Sequence, residues 1–247
     1  MRYVGSAETV FHAAIEKGPS VNEPPEHREE RISRATAGRL SLYLRCLESR
    51  LREGQTKISS SDLAETLGIT DSQVRKDLSQ LGSLGKRGIG YTIVDLIRAI
   101  RESLGIDRTW RAALIGIGNL ARALLRYRGF HARGFEIVGL FDSDTQKIGS
   151  EVDGQKVLSL QEMPATIETE AIRLAILTVP ANAAQGIVDR LASTGIRGVL
   201  NFAPTVLKMP SNIQLVSVDF TIQLEQLAFR VHLGEDENTL ADIYPIV

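Results

Sequence analysis

The chain carries one cysteine, Cys46, among its 247 residues. A single thiol excludes an intrachain disulfide and fits a reducing compartment. No apolar run reaches the ~20 residues of a bilayer-crossing helix, because Arg, Lys, Asp or Gly interrupts each one. The first residues lack a basic stretch followed by an apolar core, so no secretory signal is expected, and the expected address is the cytoplasm. Histidine is scarce too. His12, His27, His131 and His232 are not spaced for a metal, so no metal is expected. None falls at the carboxyl end of an expected sheet strand, where a dehydrogenase would carry its acid or base. Neither a membrane nor a metal therefore belongs among the expected partners.

Net charge is also nearly absent, at −1 overall, but it is unevenly spread. Residues 28–111 hold 16 Lys+Arg against 11 Asp+Glu, and the remainder holds 13 against 19. A basic segment joined to an acidic one either meets a polyanion with its first part only or presents a solvated basic face.

Residues 1–34 read as an arm: a possible short helix over 7–15, then the linker Gly18-Pro19-Ser-Val-Asn-Glu-Pro24-Pro25. From Ala35 a helical period begins, with Leu40, Leu44, Leu47 and Leu51 at three- and four-residue spacing and Gly54 as its stop. Cys46 falls on this helix and reads as a small core residue. Ser59-Ser60-Ser61 offers N-caps for a helix over 62–67 that Gly68 ends. Thr70-Asp71-Ser72-Gln73 has capping-box spacing and opens a third helix to about Leu81. Two short helices around a tight Gly-Ile-Thr turn form a helix-turn-helix pattern. Val74, Leu78 and Leu81 mark the buried face of the third helix. Gln73, Arg75, Lys76 and Ser79 project elsewhere, as a recognition helix presents side chains to the major groove. Gly82-Ser-Leu-Gly85-Lys86-Arg87-Gly88-Ile-Gly90 then reads as a β-hairpin wing with two cations at its tip, whose Gly88 backbone can approach a phosphate. The bland alternative is a small helical bundle; the basic, glycine-rich hairpin favours double-stranded DNA.

After a helix over 93–104, strands and helices alternate. The strands expected are 113–115, 136–141, 174–179 and 198–201; the helices are 120–127, 160–166 and 183–193. Short continuous apolar strands of this kind suit a parallel sheet covered on both faces. A last extended segment, 213–218, precedes a terminal helix from about Thr221 to Leu233. The expected organisation is thus an α/β chain: arm 1–34, winged helix 35–107, doubly wound Rossmann domain 108–218, terminal helix 219–234 and acidic tail 235–247.

The first strand of that domain feeds Gly116-Ile-Gly118-Asn119-Leu120-Ala121, the layout of a dinucleotide-binding turn. The pattern alone is unspecific; its weight comes from the preceding strand, the following helix and the acid Asp142 ending the next strand. Asp142 stands 26 residues after Gly116. A carboxylate there can hold the ribose hydroxyls of NAD(H) and repel the extra phosphate of NADP(H); alternatively it caps a turn with Ser143 and Asp144. Thr178-Val179-Pro180 and Asn201-Phe202-Ala203-Pro204 end two further strands, where ligands of open α/β sheets bind, and Asn201 offers an amide for a carboxamide. Simple termination by Pro is the other reading. A nucleotide site joined to a DNA reader suggests a sensor. Its competitors are an NAD-dependent oxidoreductase with a regulatory N-terminal domain and a regulator binding another adenine nucleotide, such as coenzyme A.

Gln73-Val-Arg-Lys-Asp-Leu-Ser79, Gly88-Ile-Gly-Tyr-Thr92, Gly116-Ile-Gly-Asn-Leu120, Leu177-Thr-Val-Pro180 and Leu200-Asn-Phe-Ala-Pro204 together resemble the Rex family of redox-sensing transcriptional repressors. The resemblance covers approximately residues 35–233. It implies a non-enzymatic homodimer that binds palindromic operator DNA when NADH is low and releases it when NADH rises, with a terminal helix exchanged between subunits. Packing of that helix on its own sheet is the alternative. The resemblance further implies a network of Arg45, Tyr127, Asp219 and Phe220 near the nicotinamide, the first three as a switch, and DNA contacts from Arg75, Lys76 and Arg87. Ala121 stands where the family usually has Gly, which the broader Gly/Ala pattern admits. The N-terminal arm is longer than the family needs.

Overall fold

The computed structural model describes residues 32–82, 84–86 and 90–233. The arm before residue 32 and the acidic tail lie outside them.

The N-terminal unit begins with α1 (Arg34–Arg52), capped by Ser33, whose hydroxyl accepts from the Thr36 N–H. β1 (Lys57–Ile58) leads to α2 (Ser60–Leu67), which starts two residues earlier than expected because Ser59, not Ser61, is its cap. Ser59 and Asp62 satisfy each other's backbone N–H groups in a capping box, and Gly68 closes the helix at φ +65°. α3 (Asp71–Ser79) stops short of Leu81. The wing follows as β2 (Gly85–Lys86) and β3 (Gly90–Thr92), and then α4 (Ile93–Ser103). The three strands form an antiparallel sheet in the order β1-β3-β2. Gly90, at φ +79°, lies where a Cβ would stand 2.6 Å from the Ile58 carbonyl oxygen, so the wing leaves its root through a position open only to glycine.

Leu40, Tyr43, Leu44 and Leu47 of α1 pack with Leu63, Val74, Leu78, Ile93, Leu96 and Ile100 into one apolar cluster. Cys46 is buried at its edge. Leu51, the last member of the expected stripe, is exposed.

The second unit is a seven-stranded sheet in the order β10-β9-β8-β4-β5-β7-β6. Its strands are β4 (Trp110–Ile115), β5 (Phe135–Asp142), β6 (Glu151–Val152), β7 (Gln155–Ser159), β8 (Leu174–Leu177), β9 (Gly198–Asn201) and β10 (Gln214–Ser217). All pair in parallel except β6, which turns back on β7. Read from β7, the order is the 3-2-1-4-5-6 of the Rossmann fold, as expected, and it reverses between β4 and β8. The β6–β7 hairpin is not among the strands the sequence leads one to expect. It closes through Asp153 and Gly154, both at positive φ, the two-residue turn whose twist matches its strands.

The helices are α5 (Asn119–Leu125), the one-turn α6 (Gly129–Ala132), α7 (Met163–Thr169), α8 (Ala181–Leu191) and α9 (Phe220–Leu233). α7 and α8 cover one face of the sheet, where Ile115, Phe141, Leu177, Ile187 and Leu191 are buried together. On the other face α5 covers only part, packing Ala121 against Leu114 and Leu140. α9 has no buried residue, and its large apolar side chains are exposed, from 48% at Ile222 to 64% at Leu224.

Candidate nucleotide and nucleic-acid sites

The glycine turn sits at the point where the strand order reverses. Gly116 takes φ +91°, and a Cβ there would lie 2.5 Å from Val179 Cγ1 and 2.9 Å from the Thr178 carbonyl oxygen. Only glycine lets β4 and β8 close up at this point. Thr178 secures the contact, its hydroxyl donating to the Gly116 carbonyl at 2.7 Å. Gly118 is the N-terminal cap of α5, and a Cβ on it would meet nothing within 4 Å. The space beside it is open to a ligand, while Asn119 and Leu120 begin the helix and Ala121 is wholly buried against the sheet.

Asp142 is the hub of this turn. Its Oδ2 accepts from the Ile117 N–H at 2.7 Å and from Lys147 Nζ at 3.0 Å; its Oδ1 accepts from the Asp144 N–H at 2.9 Å. It thus caps the turn at Asp144, one of its two sequence readings, and also holds the backbone of the glycine loop at Ile117. Burial alone would raise its pKa, but the two backbone N–H groups and Lys147 outweigh it, and the carboxyl lies below its usual range. It is therefore ionised at neutral pH.

At the other end, Asn201 does not offer its amide to the cleft. The side chain is wholly buried, donating to the Ala203 carbonyl at 3.0 Å and accepting from the Ala203 N–H at 2.9 Å. It shapes the turn through Phe202, Ala203 and Pro204 instead. Just beyond β8, Val179 lies against Gly116 and Pro180 is the cap of α8. Phe202 stacks obliquely on Phe220, centroids 6.0 Å apart, so the root of α9 meets the β9 loop. Asp219 caps α9, accepting from the Thr221 N–H at 2.9 Å.

A cavity of about 550 Å3 opens on the sheet face that α5 leaves bare, lined by Ile137, Leu174, Ile176, Leu200 and Val216 of the strands. Arg45 of α1, Tyr127 and Arg133 also line it. The fold thus brings Arg45 and Tyr127 to one cavity, while Asp219 and Phe220 stand at the base of α9. Among the described residues of one chain no ion pair joins Arg45 to Asp219.

The recognition-helix residues divide by environment. Arg75 and Lys76 are exposed, with Arg75 paired to Asp71 one turn earlier. Ser79 is exposed, but its hydroxyl donates to the Lys76 carbonyl at 2.7 Å. The Gln73 amide donates to Asp77 Oδ1 at 2.9 Å rather than projecting outward. Of the wing, Arg87 and Gly88 lie outside the described residues, and for Lys86 only the backbone in β2 is described.

Asp77 went unnoticed in the sequence. It is wholly buried, and Arg39 grips it with two bonds, Nε to Oδ2 at 2.6 Å and Nη2 to Oδ1 at 2.7 Å. Tyr43 donates its hydroxyl to Oδ2 at 2.7 Å. The network ties α3 to α1. Burial would raise the Asp77 pKa, but Arg39, Tyr43 and Gln73 together hold it below the usual carboxylate range. The signal was available: Asp77 sits in phase with Val74, Leu78 and Leu81, and a carboxylate on a core stripe demands a partner. Lys147, five residues beyond Asp142, carried no comparable signal.

Two family models match the chain. One described as "CoA binding domain" covers residues 107–205, and one described as "Putative DNA-binding protein N-terminus" covers residues 31–79. The chain is 43% identical over 201 residues to the redox-sensing transcriptional repressor Rex of Carboxydothermus hydrogenoformans, covering 81% of this chain and 97% of that one. It is 44% identical over 201 residues to the protein of the same name from Desulfitobacterium hafniense, covering 81% and 96%. Among solved structures it is similar to RSP in complex with β-NAD+ and operator DNA, at a TM-score of 0.78 and 34% identity, covering 83% of this chain and 94% of RSP. Against RSP in complex with β-NADH the TM-score is 0.74 at 32% identity, covering 83% and 96%. RSP is a Rex-family repressor.

Proposed function

The chain belongs to the Rex family of redox-sensing transcriptional repressors, and from that premise we propose that it is a homodimeric repressor whose hold on operator DNA is set by the NADH/NAD+ balance. The observation that carries this reading is a cavity lined both by Arg45, borne by the first helix of the DNA-binding unit, and by Tyr127 of the nucleotide-binding unit. A change felt at Tyr127 then has a side chain of the winged helix within reach.

The residues present fit NAD(H). Gly116 supplies a turn that a Cβ would block, Gly118 leaves open space, and Asp142 is ionised at the ribose end. Gly116, Gly118, Asn119, Leu120 and Ala121 would hold the pyrophosphate end, Asp142 the ribose diol, and the 178–180 and 202–204 turns the nicotinamide end, with Tyr127 and Phe220 beside it. Bound there, the cofactor supplies a difference of one charge and of ring planarity between its two redox states. Asp142 favours a free diol, which coenzyme A lacks because its 3′ position is phosphorylated. The relatives' character as transcriptional repressors supports a site that reports on the cofactor rather than turning it over.

On the DNA side, Arg75 and Lys76 present charge from α3, and Lys86, Arg87 and Gly88 would serve the wing. Gln73 acts through Asp77, holding the start of α3, and Ser79 serves at its end. Exchange of α9 between two copies accounts for an apolar helix with no buried side chain beside an uncovered sheet face. No described helix is long and apolar enough to cross a membrane, and a DNA-binding repressor of this kind works in the cytoplasm.

The test is capture of genomic DNA fragments by the purified full chain, with and without cofactor. Fragments retained without NADH and released by it, but not by equal NAD+, are the expected result. Retention indifferent to either cofactor would refute the sensor. Absence of any captured DNA, together with turnover of a hydride acceptor, would favour the oxidoreductase.

A further inference from the structure

We infer that Glu48 and Arg133 form the tie through which the nucleotide-binding unit acts on the first helix of the DNA-binding unit, making both positioning residues for the NADH response. The inference rests on the sensor reading above and adds the route within one subunit.

Glu48 stands on α1 three residues beyond Arg45. Its Oε2 accepts from Arg133 Nη2 at 3.0 Å, and its Oε1 accepts from Arg101 Nη1 of α4 at 3.5 Å. The side chains of Glu48 and Arg133 are only 21% and 27% exposed, so the pair is partly shielded from solvent. A charge-assisted bond in that setting is stronger than a bond between neutral groups and is less screened by salt than an exposed pair. Arg101 anchors Glu48 within its own unit, whereas Arg133 reaches it from the other.

Arg133 is also mechanically joined to Tyr127. It is the C-terminal cap of α6, the single turn that begins two residues after Tyr127. The Phe130 N–H donates to the Tyr127 carbonyl at 3.3 Å, and the Arg133 N–H donates to the Phe130 carbonyl at 3.0 Å. The Tyr127 and Phe130 rings meet edge to face at 5.2 Å. A Cβ on Gly129 would collide with the Tyr127 ring, so that ring lies directly on the turn. Beyond Arg133, Gly134 accepts from the Trp110 N–H at 2.7 Å, fixing the other end of the turn to β4. Displacement of Tyr127 therefore moves a short, internally bonded turn whose far end grips α1. Tyr127, Arg133 and Arg45 line one cavity, so a ligand there lies beside both the turn and α1.

The test compares wild type, Glu48→Ala, Arg133→Ala, the double variant and Arg101→Ala, as full-length protein with an operator duplex recovered from the genomic capture. The measured quantity is the factor by which saturating NADH weakens operator binding, with NADH affinity without DNA and operator affinity without NADH measured alongside. Glu48→Ala and Arg133→Ala are expected to lower that factor about fivefold. The double variant should be no worse than either single, because both remove the same bond. Arg101→Ala, which leaves the bond between units in place, should stay near wild type. A factor unchanged in Glu48→Ala and in Arg133→Ala overturns the inference. So does an effect of Arg101→Ala equal to theirs, which would mark Glu48 as a support of the winged helix alone. Wild type that binds operator with no response to NADH would overturn the sensor reading itself, and the inference with it.

Discussion

Replacing Asp77 by Asn tests whether the placement of the recognition helix depends on a buried carboxylate. Four donors converge on its two oxygens: Arg39 twice, Tyr43 and Gln73. The amide keeps the volume and one oxygen, but its NH2 group faces donors, so two of the four lose their acceptor and Arg39 loses its counter-charge. Breaking a buried ion pair from one side costs about 3–5 kcal/mol, and a hydrogen bond to a charged group contributes about 1.5–3. Arg39 is 20% exposed and can reach water, which places the loss at the lower end, about 3 kcal/mol. Urea unfolding followed by far-UV circular dichroism reads this directly; with an m-value of about 1–3 kcal/mol per molar, the midpoint should fall by about 1 M or more. The effect carries a pH signature. The folded pKa of Asp77 is depressed, so its contribution is complete above the unfolded value of about 4 and is lost as pH falls through the lower folded value. Wild type and D77N therefore converge on acidification, because a protonated carboxyl resembles the amide. A loss under about 1 kcal/mol at neutral pH, or a gap that persists at low pH, would refute the assignment.

Gly116→Ala forces a Cβ into the Thr178 backbone at positive φ, so NADH affinity measured by calorimetry should fall at least ~10-fold with a clear drop in melting temperature. Asp142→Ala frees the Ile117 N–H and should weaken NADH binding; since that alone reflects a loosened turn, the deciding number is the preference for NADH over NADPH, expected to erode about 10-fold. Arg45→Ala and Asp219→Ala should each leave NADH binding within about twofold while abolishing NADH-driven release in a gel-shift titration; normal release in both would remove them from the switch. Leu224→Arg with Leu227→Arg places charge on the apolar face of α9, and sedimentation should show monomers if that face is covered by a second subunit.

What was legible in the sequence was local chemistry. Gly116, Gly118 and Asp142 declare themselves because a tight turn and a strand-ending acid are written in adjacent residues. Caps at Thr70 and Gly68 delimited the helix-turn-helix for the same reason. Where the fold depends on distant partners, the reading fell short. β1 is two residues long and exists because Lys57 and Ile58 pair with Thr92 and Tyr91, more than thirty positions away. The β6–β7 hairpin was signalled by Asp153-Gly154, yet its flanking strands are too short and too polar to reveal alternation. Gln73 and Asn201 were assigned outward roles because an amide in a loop or first helical turn suggests a ligand. Each instead satisfies a buried group, Asp77 in one case and the Ala203 backbone in the other. The pairing of Glu48 with Arg133 spans 85 residues, and nothing in the sequence couples them.

These contacts converge on one element. α1 presents Arg39 to Asp77 of the recognition helix, Arg45 to the cavity shared with Tyr127, and Glu48 to Arg133. A helix of 19 residues packed through Leu40, Tyr43, Leu44 and Leu47 moves as a body rather than bending between those points. A hundredfold loss of operator affinity requires about 2.7 kcal/mol of differential binding. The partly shielded Glu48–Arg133 bond contributes about 1–1.5 kcal/mol of that, so the rest has to come from other differences between the two states. Stiffness matters here because the network at Asp77 transmits a displacement of α1 to α3 only while it is intact. D77N should therefore weaken the NADH response as well as the fold, and the order of these losses across a urea series separates transmission from stability: a response already lost where the winged helix remains fully folded belongs to transmission.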